Sequence, residues 1–214
     1  MRLVRQLSRP GHALGGNAPT STIRNPEWWI DDEPTPVRRK LHRRLLAEAR
    51  AKAMVEKARR AIILAGPPGA GKSTVLENEL SSGVDKFLIV DADDFKRALL
   101  REAQTDGSYD SWLVPPAIRD LEREGERFFP LELASLVHEE SSYLAKELRA
   151  DAIAEGENFV LDTVLSNEQN AFELGNTLRS LATACTARPW NRRTMHAQPS
   201  KSTCPELPLT DRFP

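Results

Sequence analysis

One short segment, Gly66-Pro-Pro-Gly-Ala-Gly-Lys-Ser73, has the composition and spacing of a loop that binds phosphate. It fits the pattern G-x-x-x-x-G-K-[ST], in which glycines let backbone N–H groups approach a phosphate group without a Cβ clash. In this pattern Lys72 neutralises the β- and γ-oxygens of a nucleotide, and the hydroxyl of Ser73 binds Mg²⁺. The segment therefore predicts a site for ATP (or GTP) and Mg²⁺. The nucleotide-binding residues are Gly66, Pro67, Pro68, Gly69, Ala70, Gly71, Lys72, Ser73 and Thr74.

Three aspartates follow short apolar runs. Asp91 directly follows the run Phe-Leu-Ile-Val, and Asp93 lies two residues after Asp91. Asp162 directly follows the run Asn-Phe-Val-Leu. Ligands of open parallel sheets bind at the carboxyl ends of the strands, so we expect these carboxylates near the phosphates. A carboxylate such as Asp91 or Asp93 there can accept the proton of an acceptor hydroxyl or hold Mg²⁺ through water, and Asp162 can supply a second ligand for Mg²⁺. The alternatives are that Asp93 or Asp94 only caps the following helix, and that Asp162 is an exposed residue at the end of a strand.

The elements that must position these residues alternate between strands and helices. Apolar runs predict buried strands, and apolar stripes at helical spacing predict helices. The resulting class is α/β with a mostly parallel sheet. The strands are predicted over 61–65, 87–90 and 158–161, the helices over 36–59, 72–82, 93–103 and 131–155, and irregular chain over 106–130.

The two ends of the chain differ from its middle. Residues 1–34 carry Gly, Pro, Ser and Asn and predict an extended arm, with Trp28 and Trp29 docking onto the domain surface. Residues 35–175 form the predicted α/β domain. Residues 176–214 contain no Val, Ile or Tyr but five prolines, which predicts a disordered tail after a helix that ends near residue 184.

The composition narrows the class of protein. The formal net charge of −1 does not favour a nucleic-acid-binding protein. Only the basic face of the helix predicted over 36–59 favours nucleic-acid binding. No apolar run is long enough for a membrane span, and the start of the chain does not have the pattern of a secretory signal. Two cysteines, Cys185 and Cys204, give neither metal-ligand spacing nor a disulfide framework. We therefore expect a cytoplasmic protein without membrane contact.

Three segments together resemble the zeta toxin family of P-loop kinases. They are AGPPGAGKST, VDADDFKRAL and SLVHEESSYLAKELRADAIAEGENFVLDT, and the resemblance covers about residues 40–175. The phosphate loop alone occurs in many families. The D-x-D-x-F-K element, the H-E-x-S helix and the G-x-N-x-x-x-D strand are much more specific.

The resemblance implies a P-loop kinase-like three-layer α/β/α fold, with residues 35–175 as a partial zeta-toxin-like kinase domain. It implies an ATP-dependent kinase that phosphorylates a hydroxyl of a sugar nucleotide, best known for UDP-N-acetylglucosamine. It also implies the toxin of a toxin–antitoxin system, with a small antitoxin protein that covers the ATP site. By position, Lys72 and Ser73 would bind ATP and Mg²⁺, Asp93 would be the catalytic base, and Asp162 would be the acidic residue that ends the later strand. The residues implied for the acceptor pocket are His138, Glu139 and Ser141.

The sequence departs from the family after Asp162. Many members continue with Gly-Thr and a nearby Arg, whereas this chain continues with Thr163, Val164 and Leu165. The family's next strand and the arginines that clamp the phosphoryl group have no counterpart after Gly175, so we expect an aberrant or truncated C-terminus and an incomplete sheet. Two alternatives stay open: a catalytically silent ATP-binding relative, and a P-loop kinase for another acceptor, such as an antibiotic or the 5′ end of a polynucleotide.

Overall fold

The computed structural model describes residues 2–66, 71–80, 83–163, 172, 175–178 and 184–189. Helices and strands alternate along most of this length. In chain order they are α1 (Arg2–Leu7), β1 (Trp29–Ile30), β2 (Glu33–Pro34), α2 (Pro36–Arg50), β3 (Arg60–Ala65), α3 (Lys72–Leu80), β4 (Leu88–Asp91), α4 (Ala92–Asp106), α5 (Pro116–Arg123), α6 (His138–Glu155), β5 (Phe159–Thr163) and β6 (Ala184–Pro189).

A parallel sheet with the strand order β4-β5-β3-β6 forms the centre of the molecule. On one face, Leu99 of α4 and Leu148 of α6 pack with Phe159 of β5. On the other face, Leu76 of α3 packs with Val160 of β5. The predicted α/β class and the three layers are therefore confirmed. No helix within the described ranges is long and apolar enough to cross a bilayer.

Strand β6 corrects the prediction that the chain after Gly175 supplies no strand. It pairs in parallel with β3, with Arg60 opposite Ala184 and Ala65 opposite Pro189. An edge strand needs main-chain hydrogen bonds on one side only, so it does not require the β-branched side chains of a central strand. The prediction of a disordered tail is wrong for these six residues. Most of 176–214 lies outside the described residues.

The N-terminal segment corrects the prediction of an extended arm. Leu14 is fully buried in the main core, and the Leu14 N–H donates to the carbonyl oxygen of Leu7 over 2.9 Å. Consecutive turns, in which the N–H groups of Gly15, Ala18 and Ser21 each donate to the carbonyl oxygen three residues earlier, also compact this segment. The predicted docking of the Trp pair is confirmed, since Trp29 is buried and Trp28 contacts Trp112.

Three predicted boundaries also change. Helix α2 ends at Arg50 rather than at 59. Beyond it, the main chain forms hydrogen bonds with another segment of the same chain instead of helical ones; the Met54 N–H donates to the carbonyl oxygen of Asp85 over 2.8 Å. The span predicted to be irregular contains a π-helical turn over Tyr109–Leu113 and the helix α5, whose first residues are prolines suited to a helix start. Helix α6 begins only at His138, after a 3₁₀ helix over Pro130–Val137.

Candidate functional site

The phosphate loop and the predicted aspartates lie together at the carboxyl ends of the parallel strands. Asp162 of β5 is the register partner of Leu64 in β3 on one side and of Asp91 in β4 on the other. The loop that begins at Gly66 leaves the same end of β3. Parallel pairing therefore brings together three motifs that are far apart in the sequence, as expected for strand carboxyl ends.

Lys72, the first residue of α3, links the phosphate loop to β5. Its Nζ donates to the carbonyl oxygen of Gly66 over 3.0 Å and lies 2.6 Å from Oδ1 of Asp162. Gly71 has a φ of +76°, a left-handed conformation that favours glycine at the entry to the helix. The helix N-terminus and the lysine charge both suit a phosphate here. Residues 67–70 and the side chain of Ser73 lie outside the described part of the chain.

Asp91 caps helix α4. Its Oδ1 accepts a hydrogen bond from the N–H of Asp93 over 2.8 Å. Burial raises the pKa of Asp91, and the carboxylates of Asp94, Asp93 and Asp162 raise it further. The alternative in which Asp93 or Asp94 serves as the cap is therefore wrong, and this role belongs to Asp91.

Asp93 lies in the first turn of α4, and 60% of its side chain is exposed. Lys96, one turn along, places its Nζ 2.7 Å from Oδ1 of Asp93. This hydrogen bond lowers the pKa of Asp93, and the charges of Lys96, Arg97 and His138 contribute to the decrease. Asp93 is consequently an accessible carboxylate with a cationic neighbour, and His138 lies within its electrostatic reach.

The residues predicted for the acceptor pocket begin helix α6. His138 and Glu139 are exposed, whereas Ser141 is fully buried. The Ser141 hydroxyl donates to the carbonyl oxygen of His138 over 2.7 Å, a bond within the helix. Two of the three predicted residues are therefore exposed, and the third supports the helix start.

A buried ionic cluster lies directly beneath these residues, and sequence analysis missed it. The carboxylate of Glu140 accepts hydrogen bonds from Arg38 Nε over 2.6 Å and from Arg38 Nη2 over 2.8 Å, while Nε2 of His42 lies 2.6 Å from its Oε1. Glu140 is fully buried. Burial by itself would raise the pKa of Glu140, but the bonds to His42 and Arg38 outweigh it and hold the pKa at about 2.

Aromatic side chains enclose this cluster. The Arg38 guanidinium lies 4.1 Å from the ring centroid of Trp28, and Trp29 packs against both His42 and Tyr143. The available sequence signal was the spacing of Arg38 and His42, one helical turn apart and so on one face of α2. Nothing in the sequence pointed to Glu140 as their partner.

The acidic residues suit Mg²⁺. This ion commonly uses one or two carboxylates together with substrate phosphates and water. Asp91 and Asp162, on neighbouring strands, supply two carboxylates next to the phosphate loop. A cation there would offset the mutual repulsion that helps to raise the pKa of Asp91. Within the described ranges no group of three or more His, Cys, Asp or Glu residues is arranged as a metal site by itself.

Strand β6 brings an arginine to the same level of the sheet. The backbone of Arg188 pairs with Leu64, which pairs on its other side with Asp162. Sequence analysis placed none of the tail arginines near the site. The register of β6 places the backbone of Arg188 at the level of Asp162.

A cavity of about 260 Å³ lies beside the site, between the C-terminal half of α2 and the edge strand β4. Leu45, Phe87, Ile89 and Phe95 line it, and Asp91 is also part of its lining. Neither Lys72 nor the residues at the start of α6 take part in it, so it is separate from the predicted phosphate and acceptor positions.

Residues 45–124 match the model of the zeta toxin family. The resemblance seen in the motifs is therefore confirmed over this range, which includes the phosphate loop and the D-x-D-x-F-K element. No curated protein shows significant similarity to the chain.

Three solved structures illustrate the similarity of the fold. The PezAT chromosomal toxin–antitoxin system of Streptococcus pneumoniae matches with 17% identity and a TM-score of 0.48, over 72% of this chain and 57% of that one. The native AvrRxo1-ORF1:-ORF2 complex matches with 22% identity and a TM-score of 0.50, over 72% and 46%. The AvrRxo1-ORF1:-ORF2 structure with ATP matches with 23% identity and a TM-score of 0.48, over 72% and 46%. The chain thus spans about half the length of these structures, and the likeness concerns the fold alone.

Proposed function

We propose that the protein is an ATP-binding kinase that transfers the γ-phosphate to a hydroxyl of a small molecule. The observation that carries this proposal is the contact of 2.6 Å between Lys72 and Asp162, next to Asp91 at the carboxyl ends of parallel strands. A phosphate-binding lysine, two metal-compatible carboxylates and an accessible aspartate thereby share one edge of the sheet. The match of residues 45–124 to the zeta toxin family supports the same chemistry.

The phosphate loop and the N-terminus of α3 bind the phosphates of ATP in this proposal. Lys72, which pairs with Asp162, contacts the β- and γ-oxygens of bound ATP in this proposal. Asp91 and Asp162, with Ser73, would hold Mg²⁺, which when bound neutralises charge that develops on the phosphate oxygens.

Asp93 acts as the catalytic base. Its lowered pKa keeps the carboxylate ionised at neutral pH, so it can accept the proton of the acceptor hydroxyl. The acceptor oxygen forms the new bond to the γ-phosphorus while the bond to the β,γ-bridging oxygen breaks, and ADP leaves. Before proton transfer, Asp93 must accept the hydrogen bond of the acceptor hydroxyl beside, or in place of, the one that it accepts from Lys96.

The acceptor that we propose is a sugar nucleotide such as UDP-N-acetylglucosamine, as the resemblance to the zeta toxin family implies. His138 and Glu139 lie at the exposed start of α6, and the charge of His138 acts on Asp93. Their polar atoms suit the hydroxyls of a sugar. We further propose that the protein is the cytoplasmic toxin of a toxin–antitoxin system, with a small antitoxin protein as its partner.

A transfer assay tests this proposal. The protein is incubated with γ-labelled ATP, Mg²⁺ and UDP-N-acetylglucosamine, beside an Asp93→Asn variant. Label on the sugar nucleotide that disappears in the variant is the expected result. ATP binding without transfer to any acceptor would instead identify a silent ATP-binding protein. Transfer only to an antibiotic or to a 5′-hydroxyl oligonucleotide would identify another acceptor class.

A further inference from the structure

The cavity of about 260 Å³ beside β4 has an apolar interior. Leu45, Phe87 and Phe95 line it, and each of these side chains is buried. Ala49 of α2 and Ala98 of α4 also line it, and their small side chains help to leave this space open. The volume lies just below the range of about 300–1,000 Å³ that is usual for ligand pockets, so it suits a ligand with a single ring system.

The cavity adjoins the open side of β4, which is an edge strand of the sheet. The Leu88 N–H donates to the Asn158 carbonyl oxygen over 2.9 Å, so the main-chain groups of Leu88 point toward β5. Successive residues of a strand direct these groups to alternate sides, and those of Ile89 therefore point away from β5. Ile89 also lines the cavity. Within the described ranges, no strand pairs with β4 on this side and no loop forms a main-chain hydrogen bond to Ile89.

Other parts of the chain cover the remainder of this edge. The Met54 N–H donates to the carbonyl oxygen of Asp85 over 2.8 Å, three residues before β4 begins. Helix α2 packs beside β4, with Leu45 in the same core cluster as Val90. An extended peptide therefore has no uninterrupted edge to pair with, whereas a small molecule in the cavity could reach the main-chain groups of Ile89.

The ionisable groups around the cavity do not favour a charged ligand. Four acidic and two basic residues line it: Glu48, Asp85, Asp91, Asp94, Lys52 and Arg101. Arg44 lies 3.6 Å from Glu48, and Arg97 lies 2.5 Å from Asp94, so partners outside the lining offset two of the acids. Two acidic and two basic residues remain, and an uncharged ligand suits this balance.

We propose that the cavity binds a small, uncharged, planar heterocycle that carries a hydrogen-bond donor next to an acceptor, as a cyclic amide or a nucleobase does. The donor of the ligand bonds to the carbonyl oxygen of Ile89, and its acceptor receives the Ile89 N–H. Paired residues of an antiparallel sheet exchange two hydrogen bonds in the same way. The faces of the ring lie against apolar side chains, including the aromatic rings of Phe87 and Phe95. This site does not include Lys72, and it does not depend on the proposed kinase activity.

Amide NMR of the protein tests this site with 2-pyridone, a planar ring whose N–H lies next to its carbonyl group. We expect a saturable change in the chemical shift of the Ile89 amide. N-methyl-2-pyridone has the same ring without the donor, and we expect its Kd to be about tenfold higher, because the carbonyl oxygen of Ile89 would lose its partner. Equal affinities for the two compounds, or no saturable change at Ile89, would overturn the proposal. This comparison uses the wild-type protein and needs no variant.

A side chain that fills the cavity should prevent binding. We expect Ala49→Leu to raise the Kd for 2-pyridone by about tenfold or more, because the larger side chain occupies the space of the ring. Ala47→Leu is the matched control, since Ala47 is exposed on the same helix and lies outside the lining, and its Kd should equal that of the wild-type protein. If Ala49→Leu fails to fold, Ala98→Leu fills the cavity from α4 and should have the same effect. Wild-type affinity in a folded cavity-filling variant would place the ligand elsewhere and refute the proposal.

Discussion

Lys72 and Asp162 form an ion pair of 2.6 Å between the phosphate loop and strand β5. Only 16% of the Lys72 side chain and 29% of the Asp162 side chain are exposed, so solvent screens this pair less than it screens a surface pair. In the proposed function, the phosphate oxygens of ATP would replace the Asp162 carboxylate as the partner of Lys72, and Asp162 would then be available to bind a cation.

Replacement of Lys72 by Met should weaken ATP binding by about tenfold to a hundredfold, because one charge-assisted interaction of about 1.5–3 kcal/mol is lost. Titration calorimetry with ATP and Mg²⁺ measures the change. Lys86→Met is the matched control, since Lys86 forms an exposed pair with Glu56. Equal ATP affinity in the Lys72 variant and the wild-type protein would remove Lys72 from the nucleotide site.

Replacement of Asp93 by Asn should lower kcat for transfer by about 10²–10⁴-fold, the usual contribution of a general base. The Kd for ATP should stay within about twofold, because Asp93 is placed at the acceptor and not at the phosphates. Asp94→Asn is the control on the same turn, and its carboxylate pairs with Arg97. Steady-state assays of both variants decide the point: a similar kcat for the two variants would exclude Asp93 as the base.

Local patterns were sufficient to predict which residues meet at the carboxyl ends of the strands. The glycines of the phosphate loop, Lys72 and the aspartates Asp91 and Asp162 each follow or precede a short apolar run. Parallel strands bring their carboxyl ends to one edge, so their proximity follows from the topology. The capping role of Asp91 was missed because several aspartates in a row are equally good caps by residue type.

Contacts between distant segments could not be predicted in the same way. Arg38 appeared to belong to a solvated basic face, yet it is buried against Glu140 and under Trp28. The partner of a buried charge depends on tertiary packing, which no local period encodes. Strand β6 was missed for a related reason, because its position depends on the open edge of β3 and not on its own composition.

Replacement of Glu140 by Gln should destabilise the fold by about 3–5 kcal/mol, because it leaves the Arg38 guanidinium buried without a counter-charge. Urea unfolding gives the change in the free energy of unfolding. The control is Arg39→Met, which removes an exposed pair with Glu33 and should cost less than about 1 kcal/mol. A comparable decrease in the free energy of unfolding of the two variants would show that the buried cluster stabilises the fold no more than an exposed ion pair does.

Glu140 should also give the fold a specific sensitivity to acid. Its folded-state pKa of about 2 lies below the ordinary value of 4.5, so its stabilising contribution is present above pH 4.5 and is lost as the pH falls toward 2. The stability advantage of the wild-type protein over Glu140→Gln should shrink by about 2 kcal/mol between pH 7 and pH 3. Urea titrations of both proteins at the two pH values measure it. A constant difference would mean that Glu140 titrates normally.

Loss of strand β6 should destabilise the sheet, because β3 would then have an unpaired edge. Two truncated chains make the comparison: one ends after residue 189 and keeps β6, and the other ends after residue 183 and removes it. The shorter chain should have the lower melting temperature and the greater tendency to aggregate, measured by calorimetry and light scattering. The longer chain controls for the loss of residues 190–214. Identical melting and scattering of the two chains would show that pairing of β6 with β3 contributes nothing to stability in solution.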